Sequence, residues 1–127
     1  MGYCMSQVEE NFSIKKENFD NVLNALKSKN PQGYIKREEN IFTNCRTIFE
    51  AFEKRCWNLT VDEEEGNVDS ISFWGEKAYN DVEFFNSFAE FVEKDSYIQM
   101  CGEDGTIFRW IFDGKKCEEI YPTITWE

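Results

Sequence analysis

Hydrophobic and polar positions are most clearly patterned toward the C-terminal end of the chain. From Tyr97 to Trp126 they predict three short strands, with Ile98 and Met100 on one side of the first. On the second, Phe108, Trp110 and Phe112 stand opposite Ile107, Arg109 and Ile111. Gly102-Glu103-Asp104-Gly105 and Asp113-Gly114 separate the strands and supply residues that tolerate positive φ, so the segment reads as a meander. Both faces of the second strand carry apolar side chains. One face must meet helices, and the other is covered by a loop or left as an aromatic-bearing surface.

The preceding residues supply those helices. Phe12 and Ile14 alternate with polar neighbours from Glu10 to Lys15, which predicts a half-buried strand. Phe19, Val22, Leu23 and Leu26 recur at helical spacing, predicting a helix over about residues 17–28 that Asn30-Pro31 and Gly33 end. Pro31 to Arg46 is the longest irregular stretch and reads as a connector pinned by Tyr34, Ile35, Ile41 and Phe42, with a binding loop as the alternative. Thr47-Ile-Phe-Glu50 has the form of a capping box, opening a short helix with Phe49, Phe52 and Cys56 on its buried face. Trp57–Val61 and Val68–Trp74 flank a polar tip and form a hairpin. Asn80-Asp-Val-Glu83 is a second cap, followed by a stripe of Phe84, Phe85, Phe88, Phe91 and Val92 that reads as the main buried helix. The sum is an α+β fold of one domain spanning residues 1–127. Its order is βααββαβββ, with a mainly antiparallel sheet of about six strands and two to three helices packed on one face.

Composition narrows the chemistry. Twelve Phe and four Trp among 127 residues provide ample material for a core without a staple. The five cysteines are irregularly spaced with no Cys-x-x-Cys pair, and the chain has no histidine, which leaves no zinc motif and points to reduced, mostly buried thiols. No apolar run approaches the ~20 residues that cross a bilayer, and the start lacks the pattern of a signal peptide, so the expected location is the cytoplasm.

Charge changes the picture further. Residues 1–60 carry 9 basic and 8 acidic side chains, and residues 61–127 carry 5 and 17, so the net −11 sits almost wholly in the second half. Such a chain repels phosphates and anionic lipid, which argues against direct nucleic-acid or membrane binding and leaves a basic protein as the expected partner.

Catalytic equipment is sparse. Without histidine the commonest general base is missing, and no Gly-x-Gly or Gly-Lys-Ser/Thr phosphate loop occurs. Neighbouring carboxylates such as Glu103 with Asp104, or Glu118 with Glu119, fall in a turn or on opposite faces of a strand. The run Asp62–Glu65 lacks the ligand spacing of an EF-hand and reads as a solvated hairpin tip. No catalytic residue, cofactor or metal ligand is therefore expected. Aromatic and Arg side chains set among acidic charge fit an interface better. The candidate partner-binding residues are Asp62, Glu63, Glu64, Glu65, Trp74, Glu103, Asp104, Arg109, Glu118, Glu119, Tyr121 and Trp126.

The run Ser96-Tyr-Ile-Gln-Met-Cys-Gly-Glu-Asp-Gly-Thr-Ile-Phe-Arg-Trp-Ile-Phe112, continued by Glu119-Ile-Tyr-Pro-Thr-Ile-Thr-Trp126, resembles the ending of small uncharacterised acidic proteins of bacteria and their mobile elements. Phe12 to Asn18 extends the resemblance across the chain. It implies a bacterial or phage-type cytosolic protein and transfers no activity and no functional residue. The functional expectation is a non-enzymatic, acidic protein-binding module, an inhibitor or immunity-type protein that docks a basic, nucleic-acid-binding surface of a partner. The alternative is a small-molecule-binding domain with an aromatic pocket between helix and sheet.

Overall fold

A computed structural model describes residues 4–29, 42–76 and 81–122. The binding-loop alternative over Pro31–Arg46 falls largely outside these residues, as do Asn30-Pro31 and Gly33, the Asn80 cap and Trp126.

The chain is α+β, with strands β1 (Met5–Asn11), β2 (Trp57–Val61), β3 (Val68–Phe73), β4 (Tyr97–Gly102), β5 (Ile107–Phe112) and β6 (Cys117–Ile120). Its helices are α1 (Phe19–Lys29), α2 (Ile48–Glu53) and α3 (Asp81–Asn86). Their order along the chain is the expected one. All pairings are antiparallel, and the six strands divide into a four-stranded sheet, β1-β4-β5-β6, and the hairpin β2-β3.

The division has a local cause in β1. Gln7 lies opposite Met100 and Glu9 opposite Gln99, so Val8 is an extra residue that bulges to the surface. The bulge switches which positions face inward, from Met5 and Gln7 before it to Glu10 after it. At the ends of the β1–β3 seam the backbone groups pair directly: Met5 N–H donates to Glu76 C=O at 2.8 Å, and Ile14 exchanges bonds with Val68. In the middle, side chains replace them. The Gln7 amide donates to Ile71 C=O at 2.9 Å and accepts from Phe73 N–H at 2.8 Å, while Glu10 accepts from the Ser70 hydroxyl at 2.8 Å. The strand predicted at Glu10–Lys15 instead runs from Met5 to Asn11: polar Gln7 and Glu10 occupy inward positions and hide the alternation, while Phe12 and Ile14 lie beyond its end, buried, with Ile14 in a single bridge to Val68.

The turns follow their glycines. Gly105 has φ +84° and Gly114 φ +92°, the left-handed region that other L-residues enter at a cost of roughly 1–2 kcal/mol. Thr47 caps α2 by accepting from Glu50 N–H at 3.2 Å, and Glu50 reaches back to Arg46 N–H at 3.0 Å, one residue further than a standard capping box. The buried face of α2 consists of Ile48, Ala51 and Phe52; Phe49 and Cys56 are half-buried. Helix α3 stops at Asn86, sooner than the apolar stripe suggests, and the Ser87 hydroxyl bonds back to Glu83 C=O at 3.0 Å. The Asn86 side chain leaves the helix to grip both backbone groups of Cys117 on β6 at 2.8 Å each.

The core lies between the helices and one face of the sheet. Phe85 of α3 sits against Trp57, Trp110 and Phe112, with ring centroids 5.3 to 5.7 Å apart, and Phe84 and Phe88 continue the packing to Phe52. Each buried ring contributes about 2–3 kcal/mol from apolar area removed from water, so this cluster is the principal source of stability. One ion pair is enclosed with it. Arg55 and Asp81 meet at 3.2 Å with side chains 5% and 2% exposed, and the guanidinium lies 5.0 Å over the Phe84 ring. Burial lowers the Arg55 pKa, and the Asp81 carboxylate opposes that shift.

Candidate partner-binding surface

Antiparallel register places a second set of side chains on the opposite face of the four-stranded sheet. Three rows cross it. Ser6, Cys101 and Ile107 form the first; Glu9, Gln99, Arg109 and Ile120 the second; Asn11, Tyr97, Ile111 and Glu118 the third. Along β4 and β5 burial alternates with the register, inner positions being buried and outer ones partly or fully exposed, with Ile107 at 42%. Ile120 at 39% and the bulged Val8 at 55% extend the apolar surface to both sides. The β1–β4 half of the face is mainly polar and the β5–β6 half mainly aliphatic.

Arg109 stands at the centre and is held from two directions. Its Nε–H donates to Gln99 Oε1 at 2.7 Å, and its guanidinium carbon lies 4.6 Å over the Tyr97 ring. The Tyr97 hydroxyl donates in turn to the Glu9 carboxylate, which pushes the phenol pKa up. The Gly102–Gly105 turn sets this arrangement: it pairs Cys101 with Ile107, and counting back two residues on each strand puts Gln99 beside Arg109. That count from the turn was the sequence signal for Tyr97 and Gln99, which charge and aromatic content alone did not single out.

The first row of the face runs into an open groove of about 380 Å³, lined by Cys4, Met5, Ser6, Gly75, Glu76, Cys101, Gly102 and Glu103. Glu103 is anchored there, since its N–H donates to Cys4 C=O at 2.8 Å and its carboxylate accepts from Cys4 N–H at 3.3 Å. Asp104 is exposed beside it and accepts from Thr106 N–H at 3.0 Å. Glu76 supplies a second carboxylate, and Trp74, 55% exposed, lies two residues before it. Two thiols border the groove, whereas Cys45 and Cys117 are buried and burial raises the pKa of both.

The remaining candidates lie elsewhere. Asp62 is committed to its own turn: its carboxylate accepts from Glu65 N–H at 2.5 Å and Gly66 N–H at 3.1 Å, and these bonds hold its pKa below the usual value. Glu63, Glu64 and Glu65 are exposed at that tip, at the opposite end of the β1–β3 seam from Glu76, and Lys15 and Lys16 share a shallow depression with Glu65. On β6, Glu118 bonds Lys116 at 2.7 Å. Glu119 accepts from Trp110 Nε1–H at 2.8 Å and from the Tyr121 hydroxyl at 2.9 Å, and the Tyr121 ring meets Phe108. The structure thus gathers Glu103, Asp104 and Trp74 near one end of the sheet, sets Arg109 at the centre of its outer face, and puts Glu118 and Glu119 on its edge strand with Tyr121 just past its end. It leaves the Asp62–Glu65 tip apart.

Among the described residues no group of three or more His, Cys, Asp or Glu side chains is placed to hold a metal ion, and no helix is long and apolar enough to cross a membrane. Comparisons with protein-family models, curated proteins and solved structures return no match for this chain.

Proposed function

We propose that this chain is a non-enzymatic, acidic protein-binding module acting in the cytoplasm, which docks a partner with a basic surface through the outer face and the acidic end of its four-stranded sheet. Inhibition of a nucleic-acid-binding factor, or neutralisation of a toxin, is the use that such a surface serves. The observation that supports this reading most directly is the contrast between the faces: helices and rings bury one, while the other presents Val8, Ile107 and Ile120 at 39–55% exposure beside a groove carrying Glu76 and Glu103. Aliphatic surface gives such a contact affinity, and carboxylates at its rim give rate and selectivity for a cationic partner.

The small-molecule alternative has less support. Phe84, Phe85 and Phe88, the stripe that would line an aromatic pocket, are 0% exposed and fill the space between helix and sheet with one another and with Trp57, Trp110 and Phe112.

Affinity capture from a bacterial lysate at low and then high salt tests the reading, with wild-type protein beside a variant reversed at Glu76, Glu103, Asp104 and Glu118. Asp62 and Glu119 stay intact because Asp62 holds its turn through two backbone N–H groups and Glu119 holds the buried Trp110 indole. Wild type should retain a basic protein that leaves at high salt, and the variant should lose it. Equal retention by both proteins would refute electrostatic docking.

A further inference from the structure

The centre of the outer face carries charge of the opposite sign to the chain as a whole. Arg109 is its cation, and among the described residues no carboxylate lies within ion-pair distance of it. Its Nε–H is already spent on Gln99, and Tyr97 lies against the guanidinium carbon, so the group is fixed in place while its terminal N–H donors remain for another acceptor. Glu9, which could have paired with it, bonds Tyr97, and Glu118 bonds Lys116. On the β5–β6 side its register neighbours on the same face are aliphatic: Ile107 and Ile111 two positions away on β5, and Ile120 opposite it on β6. A fixed planar fork within aliphatic surface suits a carboxylate: two parallel N–H···O bonds form, the isoleucines exclude water, and little rotamer freedom is lost because the side chain is already held.

We infer that the partner protein inserts a carboxylate side chain, flanked by aliphatic residues, onto Arg109 at the centre of the outer face. A second copy of this chain is the less suitable occupant, because two chains of net charge −11 repel one another. The inference rests on the protein-binding reading and adds a register to it. The partner's carboxylate must sit about 7 Å, two residues along a strand, from whatever enters the acidic groove, because Ile107, two positions from Arg109, faces Cys101 at the groove edge.

The test uses three tripeptide probes, acetyl-Leu-Glu-Leu-amide and its Gln and Lys counterparts, titrated into protein labelled at Arg Nε and Ile methyl groups. The Glu peptide should shift Arg109 Nε–H and the Ile107, Ile111 and Ile120 methyls saturably, at least tenfold more tightly than the other two. Arg109→Gln should abolish the methyl response while the buried Trp57 and Trp110 indole signals stay in place, and Arg109→Lys should restore it only in part. The Glu76→Gln/Glu103→Gln variant should bind the peptide as wild type does, which keeps a failure here distinct from a failure of the basic-partner reading. Equal response to Glu and Gln peptides, preference for Lys, or no saturation overturns the inference. So does an Arg109 shift reproduced by inorganic phosphate without the methyls, which would mark a simple anion site, or a methyl shift on dilution without peptide, which would assign the face to self-association.

Discussion

The two faces of the four-stranded sheet are built from the same residues counted by twos, yet they solve different problems. The inner face buries Met100, Phe108, Trp110 and Phe112, and the rings of Phe85 and Trp57 pack against it at Trp110 and Phe112, so that apolar packing dominates there. The outer face places Gln99, Cys101, Ile107, Arg109 and Ile111 where solvent reaches them, and there polar pairing fixes one side chain amid aliphatic ones. Stability therefore resides on one side of a single layer, and the proposed docking surface is the other, so substitutions on the two faces should separate in their effects.

The largest difference should appear at Phe85. Phe85→Ala leaves a void among Trp57, Trp110 and Phe112 and should cost about 3–5 kcal/mol in chemical denaturation. Ile107→Ser on the outer face should change stability by less than about 0.5 kcal/mol. Similar losses for both would erase the distinction between the faces. Breaking the enclosed ion pair comes next: Arg55→Met alone should cost about 3 kcal/mol by removing the cation opposite the buried Asp81 carboxylate, and Arg55→Met with Asp81→Leu should recover much of that. Thr47→Ala removes the α2 cap and should cost about 1 kcal/mol, measured by the same denaturation.

Acid should act on two turns, the β2–β3 tip and the β5–β6 turn. Turn N–H groups hold the folded-state pKa of Asp62 and Asp113 below the ordinary carboxylate value. Their contribution is complete above the unfolded pKa and is lost as the pH falls through the lower folded one. The urea midpoint should therefore drop below about pH 4, and Asp62→Asn with Asp113→Asn should flatten that drop. The smallest and most local effect is on thiols. Iodoacetamide should modify Cys4 and Cys101 well before Cys45 and Cys117, and a docked partner should slow Cys101 in particular.

Much of this arrangement was legible in the residues. Glycines at 105 and 114 gave the turns, the alternation Phe108-Trp110-Phe112 gave two faces without saying which is inner, and the apolar stripe from Phe84 gave the helix that packs on one of them. Period and turn chemistry are local, and here tertiary packing agreed with both. The start of β1 was not legible, because Gln7 and Glu10 look solvent-facing until the backbone and hydroxyl groups of β3 appear as their partners. The early end of α3 escaped for the same reason, since Asn86 has its partner on β6, 31 residues away. Among the candidate site residues, charge identified the acids without sorting them: Asp62 and Glu119 serve their own neighbourhoods, Glu103 and Asp104 border an open groove, and Glu76 was passed over although it lies in that groove. Counting acidic side chains cannot show which have already been used by a backbone amide or an indole.

The two side-chain amides that hold the borders of the four-stranded sheet also bear on how the protein behaves in concentrated solution. An open β-edge is a template on which another chain can extend the ladder, and fibril growth begins on such templates. Gln7 joins the β1 border to β3, and Asn86 occupies both backbone groups of Cys117 on the β6 border. Two uncharged side chains thus occupy part of each border, and replacing either with alanine should speed aggregation of concentrated protein, followed by light scattering.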